Sequence, residues 1–408
     1  MRYALRVASM GLVLGLLLSG AGSVRAAEDS PGLSMPEAMK PVSAKSAPAP
    51  EGRPATKQSP TPAEKPAPRR ALSTEMAGLR DEVRRTLASL RQQPFNTQEN
   101  TVGELIHFCQ AFGCDTEVVD AGQRANGITC LCWNIPCTGA EPLTVSGGHV
   151  APRIGFGYQE TPSQLTAMLA LSRVPATYPV RSGNVVRTVA DLVEHEKLTC
   201  RSGADMSLKL IVLANYVQDP TWKDGQGDEW SLQRVVKEEL ARPAGTTPHG
   251  ATSRLLGLSY TLETLVRRGQ PVEGDFLRAK RYVEESIQYA LRTQNGDGSW
   301  GRNTTRDYPS ALSFTGHVFE WLALTLPEER LQDRQIVQSV QYCNGLLGSQ
   351  HYQSDVQSLS GREIAAVMHA AHALMIYDQR VFAPADAVPA AAQRPAVGRL
   401  LSHSEGEQ

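Results

Sequence analysis

From Thr161 onward, apolar residues return every three or four positions, the spacing that gathers them on one side of an α-helix, and Gly- or Pro-bearing turns separate the segments. Met206, Leu210, Leu213 and Val217 line one helix, and Leu255, Leu258, Leu262 and Leu265 line another that stops at Gly269 after Arg267 and Arg268. Phe276, Val283, Ile287 and Leu291 mark a third, and the same pattern predicts helices over 161–173, 188–199, 228–241, 311–326, 333–348 and 361–378. Little of the chain alternates with the period of a strand. Helices this close in sequence pair as antiparallel hairpins. Upstream, Ala71 to Arg91 carries Leu72, Met76, Leu79, Val83, Leu87 and Leu90 on one side. That stripe is too short to sustain a coiled coil, so it is expected to dock onto the helical body.

Composition sets the boundaries around this pattern. Met1 to Ala26 reads as a secretory signal peptide: Arg2 and Arg6 precede an apolar run from Val7 to Leu18, and Val24-Arg25-Ala26 precedes the cleavage site. The run is too short for a bilayer span, so the mature chain is expected outside the cytoplasm, with no stable membrane span. Residues 27–70 are rich in Pro, Ala, Lys and Ser and hold too little apolar surface to offset the entropy of ordering, which predicts a disordered linker. The resulting division is an amphipathic helix over 71–93, a Cys-rich irregular segment over 94–160, a helical domain over 161–380 and a disordered tail over 381–408. A formal charge of −1 provides no field to attract nucleic acid.

One short segment speaks to architecture. In Thr293 to Gly301, TQNGDGSWG, the residues Gln294, Gly298 and Trp300 reproduce the Q-x3-G-x-W spacing of the QW repeat. In this the chain resembles the superfamily of terpenoid cyclases and protein prenyltransferase β-subunits. The resemblance implies a mainly α fold, an α/α toroid of helical hairpins, in which the glutamine amide bonds backbone at a helix end, the glycine takes a tight turn and the indole covers the joint. Trp222 after Gln218, and Gln350 after a helix, resemble decayed copies of the joint. An open α-solenoid is the architectural alternative. The catalytic strings of both enzyme families are missing: no Asp-x-Asp-Asp acid and no Asp-x-Cys zinc pair occurs. The blocks ITCLCWNIPCTG, GGHVAPRIGFGYQE and TGHVFEWLALTLPEERL further resemble a group of secreted bacterial proteins with toroid domains, a likeness that implies no activity.

Five of the seven cysteines, Cys109, Cys114, Cys130, Cys132 and Cys137, lie in one block. For an exported chain this predicts disulfides, with Cys200 as a sixth partner and Cys343 as a buried thiol on the stripe of Ile336, Val340 and Leu347. A metal site is the alternative, although the spacing fits no zinc ribbon.

The candidate chemistry falls in two places. His149, Arg153, Tyr158 and Glu160 occupy a Gly-rich loop where an arginine would neutralise a carboxylate and His or Tyr would abstract a proton, as in a polysaccharide lyase. His317 and Glu320 are three residues apart on one predicted helix, as are His369 and His372 on another, so each pair shares a face and together they would bind a ligand or, as the alternative, ligate a divalent metal. Asp205 fits a helix start, and Asp224, Asp228 and Glu229 have a faint calcium-loop character that Asp228 as a helix cap explains. No cofactor or resident metal is expected. Two functions stand open: a binding protein for an extracellular polymer, peptide or lipid, and a carbohydrate-active lyase or hydrolase. Terpenoid cyclase or prenyltransferase activity stands behind both.

Overall fold

The structure, a computed structural model, describes residues 72–93, 95–146, 148–243, 251–301, 308–349, 352 and 359–382. The expected signal peptide, the linker, Gln350 and the tail after Phe382 lie outside these residues. In chain order come α1 (Thr74–Arg91), β1 (Phe95–Asn96), α2 (Val102–Phe112), β2 (Glu117–Asp120), β3 (Gln123–Asn126), α3 (Gly127–Cys132), β4 (Leu143–Ser146), β5 (His149–Pro152) and α4 (Gln164–Leu171). There follow β6 (Pro179–Ser182), β7 (Val185–Thr188), α5 (Val189–Leu198), α6 (Ser207–Tyr216), β8 (Trp222–Lys223), β9 (Glu229–Trp230) and α7 (Leu232–Ala241). The chain closes with α8 (Thr252–Arg267), α9 (Asp275–Thr293), α10 (Tyr308–Thr325), α11 (Glu328–Leu331), α12 (Arg334–Leu347), α13 (Gly361–Tyr377) and a wide helical turn over Asp378–Phe382. The protein is mainly helical.

Burial separates the helices into two kinds. Along α8 every residue from Arg254 to Leu265 is buried, so the helix has neighbours on all sides, whereas α9 buries only Ala279, Val283, Ser286, Ile287, Ala290 and Leu291 along one stripe. The enclosed helices follow one another: α2 packs on α4, α4 on α6, α6 on α8, α8 on α10, α10 on α13, and α13 returns to α2. The amphipathic ones lie against them, α5 on α4 and α6, α7 on α6, α9 on α8, and α12 on α10 and α13. The approach of α6 to α8 depends on Gly257, where a Cβ would stand 2.0 Å from the carbonyl oxygen of Ser207. As expected, α1 docks: it packs on α12, α13 and the final turn, with Arg84 paired to Asp378 at 2.7 Å.

The QW segment joins α9 to α12. Gln294 donates through Nε2 to the carbonyls of Gln335 and Gly298 and to Ser339 Oγ, at 2.8, 3.1 and 2.7 Å. Gly298 has φ +89° and lies where a Cβ would be 2.4 Å from the backbone of Gln338, so only glycine fits.

Several expectations need correction. The segment over 94–160 is not irregular: it contributes α2 and α3, and α2 is one of the enclosed helices. Four short antiparallel hairpins, β2–β3, β4–β5, β6–β7 and β8–β9, interrupt the helices, and β1 runs parallel to β2. Trp222 belongs to one of them, opposite Trp230, and is no copy of the QW joint. Asp228 does not cap α7; Ser231 does, accepting from Arg234 N. Asp224 is occupied in the β8–β9 turn, accepting from the backbone of Gln226 and Asp228 and from Trp230 Nε1. Asp205 does serve a helix start, accepting from Ser207 N at 3.0 Å. The body also runs two residues into the expected tail, because Val381 and Phe382 are buried.

The disulfide expectation fails as well. All seven cysteines are free thiols, and every one except Cys114 is buried. They fill the core as small apolar side chains. Burial pushes the Cys130 thiol up to about 11 and those of Cys132, Cys137 and Cys343 up to about 12. In the folded chain such thiols are poorly ionised and shielded from reagents. Under native conditions at neutral pH a thiol reagent should therefore modify Cys114 first and leave Cys109, Cys130, Cys132, Cys137 and Cys343 intact. In denaturant without reductant all seven should titrate; a smaller number would restore the disulfide reading.

Candidate functional site

The enclosed helices converge on one small pocket of about 40 Å³. Gln110 of α2, Thr161 and Gln164 at the start of α4, Leu208 of α6, Ser253 and Leu256 of α8, His317, Glu320 and Trp321 of α10, and His369 of α13 face it. Each enclosed helix thus contributes, and α4, α6 and α8 do so from their first turns.

Glu320 is the centre of the arrangement. It is 2% exposed, and both oxygens accept hydrogen bonds. His369 Nδ1 donates to Oε2 at 2.7 Å, while His372 Nδ1 and Gln110 Nε2 donate to Oε1 at 2.5 and 2.7 Å. The three-residue spacing of His369 and His372 on α13 presents both imidazoles to one carboxylate on α10. Burial by itself would push the Glu320 carboxyl up, but the charge and hydrogen bond of His369 and those of His372 outweigh it and hold it well below the usual carboxylate range. An ionised glutamate accepts only, so the tautomer follows: Nδ1 of His369 carries the proton it donates, and Nε2 keeps a lone pair when the ring is neutral.

Further rings surround His369. His317 lies over it with centroids 3.8 Å apart, its own Nδ1 donating to the Ser313 carbonyl at 2.6 Å, and His107 of α2 meets it edge-on at 5.1 Å. The Gln164 amide nitrogen lies 3.3 Å from His107 Nε2, linking the start of α4 to this group. Trp321 is fixed by its Nε1 hydrogen bond to Ser259 Oγ at 3.0 Å. Among the described residues, no group of three or more His, Cys, Asp and Glu side chains is arranged to hold a metal ion. Chemically the assembly is a carboxylate that orients an imidazole, a pair able to take up or release a proton.

The two predicted clusters have different fates. His317, Glu320, His369 and His372 come together. The loop residues do not face the pocket: His149 is exposed on β5, and Arg153 donates through Nε to the Leu143 carbonyl at 3.3 Å. Tyr158 packs its backbone against α2 at Gly103, and Glu160 is exposed, its N–H bonded to Gln164 Oε1 at 3.2 Å. The loop reaches the pocket only through its successors Thr161 and Gln164. Sequence reading missed Gln110, Gln164, His107, Ser253 and Trp321. For Gln110 and His107 a signal existed, since Leu105, Ile106, Cys109 and Phe112 follow helical spacing inside the segment taken as irregular.

A second buried charge cluster is committed to structure. Lys209 and Glu196 pair at 2.7 Å, and Ser163 and Thr166 occupy the remaining carboxylate positions. No protein family, curated protein or solved structure matches this chain at a significant level.

Proposed function

We propose that this chain is an extracytoplasmic ligand-binding protein built as an α/α toroid, and that its axial pocket receives a small polar group of the ligand. The toroid reading is supported by the return of α13 to α2 and by the bonding of Gln294, Gly298 and Trp300. The observation that carries the binding reading is the convergence of all the enclosed helices on Glu320 and its partners. Sites of this kind combine concavity with a few placed polar groups. His, Gln, Thr, Ser and Glu side chains line it beside Leu208, Leu256 and Trp321, which suits a small polar group carried on an apolar stem. At about 40 Å³ the pocket takes one functional group and not a sugar ring, so the rest of a polymer, peptide or lipid ligand would stay outside.

One contact favours a second reading, a carbohydrate-active lyase or hydrolase. The 2.7 Å bond from His369 to Glu320 is the arrangement that orients an imidazole as a general base. The candidates His149, Arg153, Tyr158 and Glu160 would then contribute only to an outer subsite.

A ligand-observed NMR screen of amines, amino sugars, uronates, polyols and isoprenoid alcohols tests both readings. At least one polar compound should bind the native protein and lose most of that binding in Gln110→Leu. Binding confined to isoprenoids, or indifferent to Gln110, would overturn the pocket assignment. If His369→Ala keeps the ligand but abolishes turnover of an oligosaccharide, the enzyme reading holds.

A further inference from the structure

We infer that a second cavity, between α1, the β2–β3 hairpin and the end of α13, binds a small organic carboxylate whose body is apolar, an acyl chain or an aryl ring. Its volume is about 580 Å³, inside the roughly 300–1,000 Å³ of small-molecule sites. It shares no lining residue with the axial pocket, so it stands apart from the binding reading above. Leu87 of α1, Val118 of β2 and Met375 of α13 give it an apolar wall that is continuous with the core.

Charge selects the other end of the ligand. Three guanidiniums line this cavity and only two carboxylates do. Arg84 and Arg91 stand seven residues apart on α1, about two helical turns and so on one face, and Arg124 comes from β3. Arg84 Nε pairs with Asp378 at 2.7 Å and Arg124 Nη1 with Glu117 at 3.1 Å, each pair using one N–H of a group that has five. Arg91 has no carboxylate partner among the described residues. Its guanidinium lies 5.1 Å from the centre of the Phe112 ring, a contact made through the flat face that leaves the N–H edge for a planar oxyanion. The cavity therefore joins an apolar wall to one positive charge in excess, and a carboxylate matches the guanidinium fork with two parallel hydrogen bonds. A cationic ligand would meet the excess charge, and a purely apolar one would strip water from Arg91 without replacing it.

The test is ligand-observed NMR titration of the full chain at neutral pH and constant ionic strength, with octanoate, 2-naphthoate, octylammonium, octanol and acetate as probes. Octanoate or 2-naphthoate should bind saturably, and which of the two binds tighter separates an acyl from an aryl source. Octylammonium should not bind, and octanol and acetate, each lacking one half of the match, should bind far more weakly. Arg91→Gln should weaken carboxylate binding by about tenfold or more, the scale of one charge-assisted hydrogen bond. Arg85→Gln removes the same charge from an exposed position of α1 that does not line the cavity and should leave binding unchanged. Ala88→Phe, at an exposed position that does line it, fills the cavity from α1 and should abolish binding while circular dichroism stays native. Three results would each overturn the assignment: no saturable binding of either carboxylate, equal binding of octylammonium, or carboxylate binding that Arg91→Gln and Ala88→Phe leave intact. An equal loss in Arg85→Gln would do the same, by showing attraction to the helix surface as a whole.

Discussion

Replacing Trp300 by alanine is expected to remove about 3–5 kcal/mol of folding stability, the usual cost of deleting a buried indole. The side chain is 1% exposed, and its Nε1 donates to the Ala290 carbonyl at 2.7 Å. Ala290 lies in the last turn of α9, where carbonyls have no partner within the helix. The backbone N–H of Trp300 is also engaged, donating to Thr315 Oγ1 of α10 at 3.1 Å. The indole therefore fills volume and caps α9, while the backbone of the same residue ties the segment to α10. Trp300→Phe separates these roles: it keeps most of the buried area but leaves the Ala290 carbonyl with only the longer bond from Thr293 Oγ1 at 3.3 Å, at a cost of about 1 kcal/mol. Equilibrium urea unfolding of both variants measures the difference. A loss of less than about 1 kcal/mol for Trp300→Ala would be far below the scale of an indole-sized cavity and would show that the joint does not hold α9 in place.

This joint was legible because its function is local. Gln294, Gly298 and Trp300 act on backbone groups within a few residues or on one neighbouring helix, so their spacing carries the geometry. Long helices were legible for a similar reason, as in Phe276 to Leu291, where a single face meets a single layer. The hairpins were not. Gln123 to Asn126 is four residues long and mostly polar, and its pairing is set by the turn at Ala121 and Gly122, which both take positive φ. Such strands leave too few positions for a period of two to appear. The cysteine block misled because clustering in sequence does not by itself make a bridge, and in the fold the thiols of α2, α3 and their neighbours fill the core unbridged. In the pocket, the three-residue spacings predicted which residues share a face. They could not predict that Glu320 of α10 would meet His369 and His372 of α13, or that Gln110 would arrive from α2, because those partners are joined only by the return of the last enclosed helix to the first.

Glu239→Ala is expected to be as damaging as the loss of Trp300, for an electrostatic reason. Glu239 of α7 is fully buried, and it accepts from Arg254 Nε at 2.9 Å, Arg242 Nη1 at 3.0 Å, Ser207 Oγ at 3.0 Å and Met206 N at 3.0 Å. The Arg254 side chain is only 4% exposed and would keep its charge without a carboxylate beside it. Breaking a buried pair in this way costs about 3–5 kcal/mol, a large part of the roughly 5–15 kcal/mol that holds a domain folded. The pair itself need not be strongly favourable, since burying two charges already has a high desolvation cost. Glu239→Leu combined with Arg254→Met should therefore recover most of the loss, and a double variant no better than Glu239→Ala would show that the charge left behind is not the cause. The effect should also reach the pocket. Glu239 binds the first turn of α6 through Met206 and Ser207 and the first turn of α8 through Arg254, and these two starts present Leu208, Ser253 and Leu256 to the pocket. On the proposed binding reading, Glu239→Ala should lower affinity for a pocket ligand more than Trp300→Ala, because the first loosens the walls of the pocket while the second loosens a joint between α9, α10 and α12.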